Sequence, residues 1–216
     1  MCRRLLALPL VLSLFACTAE HSHVRHRFDD AEAWAKRFED PARDAWQKPE
    51  QVVAELKVAP DAKVADIGAA TGYFPVRLAK AVPRGHVYGV DIESSMVEYL
   101  TKRAAAEGLT NLTAVLGDVD DAKIPEPVDL ILMVNTYHHI ESRPAYFAKL
   151  ANSLKPGGRI AIIDFRKGSP KGPPDSEKVP VGTVLKELGE AGYQPVGAFD
   201  FLPEQFFLVF ARAPGS

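Results

Sequence analysis

The sequence has no excess of one charge: 26 basic residues stand against 28 acidic ones, and the formal net charge is −2. The two signs are mixed along the chain rather than blocked, so nothing points to a nucleic-acid surface. There is no internal repeat. No apolar run approaches the roughly 20 residues that a membrane-crossing helix needs. Cysteine is scarce, with two residues, Cys2 and Cys17, and no cysteine or metal-ligand pattern accompanies the polar strand ends described below. What is present is a 216-residue chain, 47% hydrophobic, which is enough for one substantial core and too short for a second full domain.

The amino terminus differs in character from the rest. Arg3 and Arg4 precede an apolar stretch, Leu5 to Phe15, interrupted only by Ser13. Its length suits a secretory signal rather than a membrane span. Cys17, directly after Ala16, resembles the lipid-bearing cysteine of bacterial lipoprotein signals. The resemblance implies cleavage of residues 1–16, a lipid on Cys17, a tether over residues 17–28 and an exported, membrane-anchored location on the periplasmic side. Cys2 would leave with the signal, so no disulfide could form within one chain. The alternative is a cytoplasmic chain whose apolar start is a frayed tail. His21, His23 and His26 lie in the tether and read either as a metal-binding cluster or, preferably, as a solvated spacer, because no Cys or carboxylate ligands accompany them.

Chemistry gathers further on. From Val64 to Phe74 an apolar strand runs into the small-residue turn Gly68-Ala69-Ala70-Thr71-Gly72 and then into a helix. Such a turn lets a ligand approach backbone amides, since no bulky side chain intervenes. Asp91 closes the next apolar run, where a carboxylate can accept hydrogen bonds from a ribose diol. The run Val128 to Val134 is apolar apart from Asp129, as in a strand covered on both faces, and leads into Asn135-Thr136-Tyr137-His138-His139-Ile140. Leu154-Lys155-Pro156-Gly157-Gly158-Arg159 precedes a further apolar run ending in Asp164.

These four stretches, in this order, resemble the Rossmann-like class of S-adenosylmethionine-dependent methyltransferases over the span Gln51 to Arg212. Asp66, Gly68 and Gly72 match that class's acidic-x-Gly-x-Gly-x-Gly pattern, with Ala70 in place of the middle glycine. One methyl group there is tolerable if the backbone keeps φ negative. A dinucleotide-binding Gly-x-Gly-x-x-Gly is disfavoured, because Ala70 and Tyr73 occupy its second and third glycine positions. The resemblance implies that Asp66 and the turn of Gly68, Ala69, Ala70, Thr71 and Gly72 hold the methionine end of the methyl donor. It also implies that Asp91 takes the ribose hydroxyls, Ile92 and Met96 pack on the adenine, and Asp118, followed by Val119, accepts from the adenine amino group. Asp118 has the rival reading of a turn residue satisfying its own backbone. Asn135 would stand nearest the methyl group.

The element order fits that class. Helices are expected over Ala31–Phe38 and Pro49–Leu56, then a strand Lys63–Ile67, helix Phe74–Val82, strand His86–Asp91, helix Ser94–Glu107 and strand Thr113–Leu116. Strand Val128–Val134, helix Pro144–Leu154, strand Arg159–Asp164, helix Val181–Ala191 and strands Tyr193–Phe199 and Gln205–Ala211 follow. The βα alternation predicts an α/β three-layer sandwich, a seven-stranded mostly parallel sheet with helices on both faces. The family implies that its last strand is antiparallel. Residues 29–58 would form a helical lid in which Arg43, Trp46 and Gln47 could face the ligand, and residues 59–216 the catalytic domain. The Pro/Gly-dense stretch Gly168–Pro174 is either a cover for the substrate side or a plain surface connection.

The expected activity is methyl transfer from S-adenosylmethionine to a small-molecule acceptor. His138 and His139 are candidates for the base that removes the acceptor's proton, beside structural roles for the same pair. The alternative function is a lipid-anchored protein of the same fold that binds S-adenosylmethionine or another nucleoside without turnover. A nicotinamide oxidoreductase ranks third. No metal is expected, and the sequence fixes neither the acceptor nor the oligomeric state.

Overall fold

The computed structural model describes residues 30–214; the expected signal, Cys17 and the tether lie outside the described residues. Seven strands form one sheet in the order β3-β2-β1-β4-β5-β7-β6. They are β1 (Lys63–Ile67), β2 (His86–Asp91), β3 (Leu112–Leu116), β4 (Val128–Val134), β5 (Leu154–Phe165), β6 (Tyr193–Phe199) and β7 (Gln205–Arg212). The pairs β1–β2, β1–β4, β2–β3 and β4–β5 are parallel, whereas β7 runs antiparallel to both neighbours, β5 and β6. The three-layer sandwich with an antiparallel final strand is the expected one.

Alternation along the strands divides the core between the two faces. Leu130, Leu132 and Val134 of β4 pack with Val52 and Leu56 of α3 (Pro49–Leu56), Leu78 of α4 (Pro75–Ala81) and Leu100 of α5 (Ser94–Ala106). Ile131 and Met133 face the other way, onto Phe147 and Leu150 of α6 (Arg143–Leu150) and Val184 and Leu188 of α7 (Val181–Glu190). Both faces of β4 are therefore sealed from Leu130 on, which is why its sequence there is continuously apolar rather than alternating. Among the described residues, no helix is long and apolar enough to cross a membrane.

Several boundaries differ from expectation. Helix α6 ends at Leu150 and gives way to a 3₁₀ turn, Ala151–Ser153, rather than reaching Leu154. Strand β5 starts at Leu154 instead of Arg159, because Lys155 to Gly158 form an irregularity opposite Asp129: Val128 pairs with Leu154 and Leu130 with Arg159. Strand β3 begins one residue earlier than read, at Leu112.

The strand order reverses between β1 and β4, so the chain leaves their carboxyl ends in opposite directions and opens a crevice there. The helical amino-terminal segment crosses this edge. It comprises α1 (Ala31–Phe38), a 3₁₀ turn (Pro41–Arg43) and the short α2 (Asp44–Gln47), and the structure ties it to the sheet at both ends. Glu39 accepts hydrogen bonds from Thr71 Oγ1 and pairs with Arg103, and Gln47 donates to Gln205.

Candidate functional site

The small-residue turn after β1 is fixed from below. Gly68 and Ala69 N–H both donate to the Val90 carbonyl, at 2.8 and 3.0 Å, and Ala70 N–H donates to Asp91 Oδ2 at 2.8 Å. Gly68, Ala70 and Gly72 have φ of 79°, 46° and 98°. The condition under which a methyl group is easily tolerated at Ala70, a negative φ, is thus not met: the Asp91 carboxylate holds its amide in a left-handed conformation, which costs a non-glycine residue about 1–2 kcal/mol. Gly68 is required twice over. A Cβ there would lie 2.7 Å from Cγ2 and 2.9 Å from Cβ of Thr136, and closer still to its Oγ1, so the turn after β1 touches the chain leaving β4. At Gly72 a Cβ would lie 2.6 Å from Leu100 Cδ1.

Asp66 is 3% exposed, and among the described residues no donor hydrogen-bonds its carboxyl group. Burial raises its pKa well above the carboxylate range; Arg43 pulls it down and Asp91 adds to the rise. Arg43 crosses the edge on the amino-terminal segment, its guanidinium carbon 3.8 Å from the centre of the Tyr73 ring. It donates from Nη1 to the Phe38 carbonyl at 2.9 Å and from Nε to Gln47 Oε1 at 3.3 Å. Asp91 accepts from two amides, Ala70 on one oxygen and Glu93 on the other, which offset part of the burial that pushes its pKa up.

The adenine-side residues separate into two groups. Ile92, Leu116 and Val119 are each 50% exposed, large apolar side chains in the open at the ends of β2 and β3. Met96 is 1% exposed and sits in the core, so the structure places it beneath the site rather than on an open face. Asp118 lies in a turn, as one of its two readings had it. Its backbone bridges Asp121 in a turn, while its carboxylate is free of the core and pairs with Lys123 at 2.5 Å.

At the end of β4, Asn135 takes up a left-handed φ of 56°, and the 3₁₀ turn Tyr137–His139 follows. His138 Nδ1 lies 2.9 Å from both oxygens of Asp164, the penultimate residue of β5, and both side chains are nearly buried. Asp164 also accepts from the N–H of His138 and of Phe165, at 3.1 and 2.7 Å. A carboxylate with those donors requires a proton on Nδ1, which leaves Nε2 as the basic nitrogen. His139 stacks against His138 with ring centres 4.0 Å apart and is exposed. The sequence marked Asp164 only as a strand end, because nothing local signals a partner that reaches it across two parallel strands.

The stretch Gly168–Pro174 folds over this side of the edge. Gly172, with φ of 83°, sits against the Phe165 ring, where a Cβ would fall 2.8 Å from Cε2. The Phe165 ring lies 5.9 Å from Trp46, and Lys171 Nζ lies 5.2 Å from the centre of the Trp46 ring. The loop is stapled by Asp175, which accepts from Gly168 N–H and from the buried Lys178.

A family model for a methyltransferase domain matches residues 59–188. The chain belongs to this methyltransferase family. It is 31% identical over 106 residues to a malonyl-[acyl-carrier protein] O-methyltransferase of Priestia megaterium, a match covering 49% of this chain and 38% of that protein. A ubiquinone/menaquinone biosynthesis C-methyltransferase of Burkholderia cenocepacia is 31% identical over 119 residues, covering 53% of this chain and 48% of the relative. The match thus spans less than half the length of these relatives. Among solved structures, a SAM-dependent methyltransferase from Aquifex aeolicus superposes with a TM-score of 0.77 at 28% identity, over 82% of this chain and 96% of that one. The methyl donor of the family fits the methyltransferase edge described here: a buried carboxylate for an ammonium group, a turn with no side chain in the way, and exposed apolar faces beside Asp91.

Proposed function

We propose that the chain transfers the methyl group of S-adenosylmethionine to a small-molecule acceptor, with His138 as the base. The observation that carries the assignment is the His138–Asp164 pair, set at the ends of β4 and β5 beside the crevice that holds the glycine turn. When bound, S-adenosylmethionine supplies an electrophilic methyl group on a sulfonium. The protein's contribution is binding, placement and proton removal.

Asp66 answers the donor's ammonium, which offsets the burial that otherwise favours its neutral form. Asp91 keeps a lone pair on each oxygen for ribose hydroxyls while holding Ala70 and Glu93. Ile92 and Val119 offer apolar faces to the adenine. An acceptor O–H or N–H beside His138 Nε2 gives up its proton there, and Asp164 stabilises the imidazolium that forms. A positioned base of this kind contributes on the order of 10²–10⁴-fold. Trp46, Phe165 and Lys171 make a wall suited to a small ring with a polar edge, and the balanced charge of the chain favours such an acceptor over nucleic acid.

The relatives named above are all enzymes, so the binding-only alternative finds no support in them. The lipid anchor on Cys17 is kept as part of the proposal, with the catalytic domain held at a membrane surface. Calorimetry on the full chain tests the donor. S-adenosylmethionine should bind and NAD should not, and Asp91→Ala should weaken binding by about 1.5–3 kcal/mol. No binding of S-adenosylmethionine at millimolar concentration would overturn the proposal.

A further inference from the structure

Four side chains form a buried chain of hydrogen bonds between the amino-terminal segment and the end of β4. Arg43 Nε donates to Gln47 Oε1, Gln47 Nε2 donates to Gln205 Oε1 at 2.6 Å, and Gln205 Nε2 donates to Asn135 Oδ1. Gln47 and Gln205 are both fully buried. The direction of the chain is not arbitrary. A guanidinium can only donate, so Gln47 must turn its oxygen to Arg43 and its nitrogen to Gln205. Gln205 must then offer its nitrogen to Asn135, whose oxygen accepts it. The bond holds the Asn135 oxygen toward Gln205 and so turns its NH₂ away from the relay, at the strand end that carries His138 three residues later.

We propose that this relay turns the Asn135 amide into a hydrogen-bond donor for the acceptor substrate, and so selects an acceptor that presents an oxygen, as a phenolate, enolate or carbonyl, beside the atom to be methylated. The inference rests on the proposed function and adds the acceptor class. An amine acceptor would bring N–H donors to a group that is itself a donor, and a buried donor facing a donor loses a hydrogen bond outright. Gln47 and Gln205 are positioning residues that act through Asn135. Since Gln47 belongs to the segment crossing the edge, the orientation is set only while that segment lies on the sheet.

The relay is read directly by NMR of the side-chain amides in the full chain loaded with S-adenosylhomocysteine. The Gln47 and Gln205 NH₂ protons should exchange with water at least about tenfold more slowly than those of Asn135, because theirs are buried and bonded. In Gln47→Glu the new carboxylate accepts from Gln205, the polarity reverses, and the Asn135 protons should become the slow ones. Titration with 4-nitrophenolate should move the Asn135 side-chain resonance in the wild type. In Gln47→Glu about tenfold more phenolate should be needed, and 4-nitroaniline should leave the resonance in place. Slow Asn135 protons in the wild type, an unmoved Asn135 resonance with phenolate at millimolar concentration, or a larger response to the aniline would each overturn the proposal. Failure of S-adenosylhomocysteine to bind in the same sample, with the exchange pattern intact, would refute the methyltransferase assignment and leave the relay standing.

Discussion

Replacing Gly68 by alanine should be among the most damaging single-methyl changes in this protein, and part of the damage should be relieved from Thr136. Two costs add at the site. The residue holds φ at 79°, where an L side chain costs about 1–2 kcal/mol. The new Cβ also meets Oγ1, Cγ2 and Cβ of Thr136 inside van der Waals contact, an overpacking that costs about 1–3 kcal/mol. Gly68→Ala should therefore lose about 2–5 kcal/mol. Thr136→Ala alone removes the hydroxyl that donates to the Val134 carbonyl and should cost about 1 kcal/mol. In the double variant Oγ1 and Cγ2 are gone while the Thr136 Cβ stays at 2.9 Å, so the overpacking is relieved in part and the φ cost stays. A denaturant-unfolding cycle over the four proteins should give a favourable coupling of about 1–3 kcal/mol, and S-adenosylmethionine affinity should recover in the same order. Additive losses, within about 0.5 kcal/mol, would refute the claim that the turn after β1 and the exit of β4 touch at the floor of the site.

Three other outcomes are expected. His138→Ala should lower turnover by on the order of 10²–10⁴-fold with donor affinity within a few-fold, and His139→Ala, at an exposed position, should do less; steady-state kinetics on an oxygen acceptor decide between them. Burial raises the Asp66 pKa, so the neutral form is favoured in the folded state. Without donor, this group's contribution to stability is full below the ordinary carboxylate pKa and is lost as pH rises through the raised value; Asp66→Asn should flatten that part of the pH–stability curve in thermal melts. In a bacterial host, mass spectrometry should find a mature chain beginning at a lipid-bearing Cys17, and an intact Met1 terminus on soluble protein would refute the anchor.

The sheet and its helices were legible because their signals are local. β4 is apolar apart from Asp129, Pro49 and Pro75 stand at first helical positions, and small residues mark the turn after β1. The last two strands were read within one residue, since a short link between them permits little but a hairpin. What escaped was set by contacts between distant segments. Nothing near residue 70 announces that the Asp91 carboxylate will hold Ala70 left-handed. Met96 has the same helical spacing whether it faces a ligand or the core. Gln47, read only as a residue of the lid, and Gln205, 158 residues away, find each other only in the fold, and Asp164 gains its meaning only from His138 in the turn after the neighbouring strand.

The reversed strand β7 sets the order of synthesis against the order of assembly. β6 leaves the ribosome first, yet its partner in the sheet is β7, so it has nothing to pair with until residues 205–212 emerge. Until then β5 is a bare edge, with its apolar residues Ile160 to Ile163 lacking the neighbour that covers them. The nascent protein is thus exposed to edge-to-edge association late in translation. Because β7 points the opposite way from β5, its first residue, not its last, reaches the edge where the parallel strands end, and that residue is Gln205. The same segment that closes the sheet delivers the third link of the amide relay. A chain that has not finished folding cannot orient Asn135, which ties chemical competence to completion of the sheet.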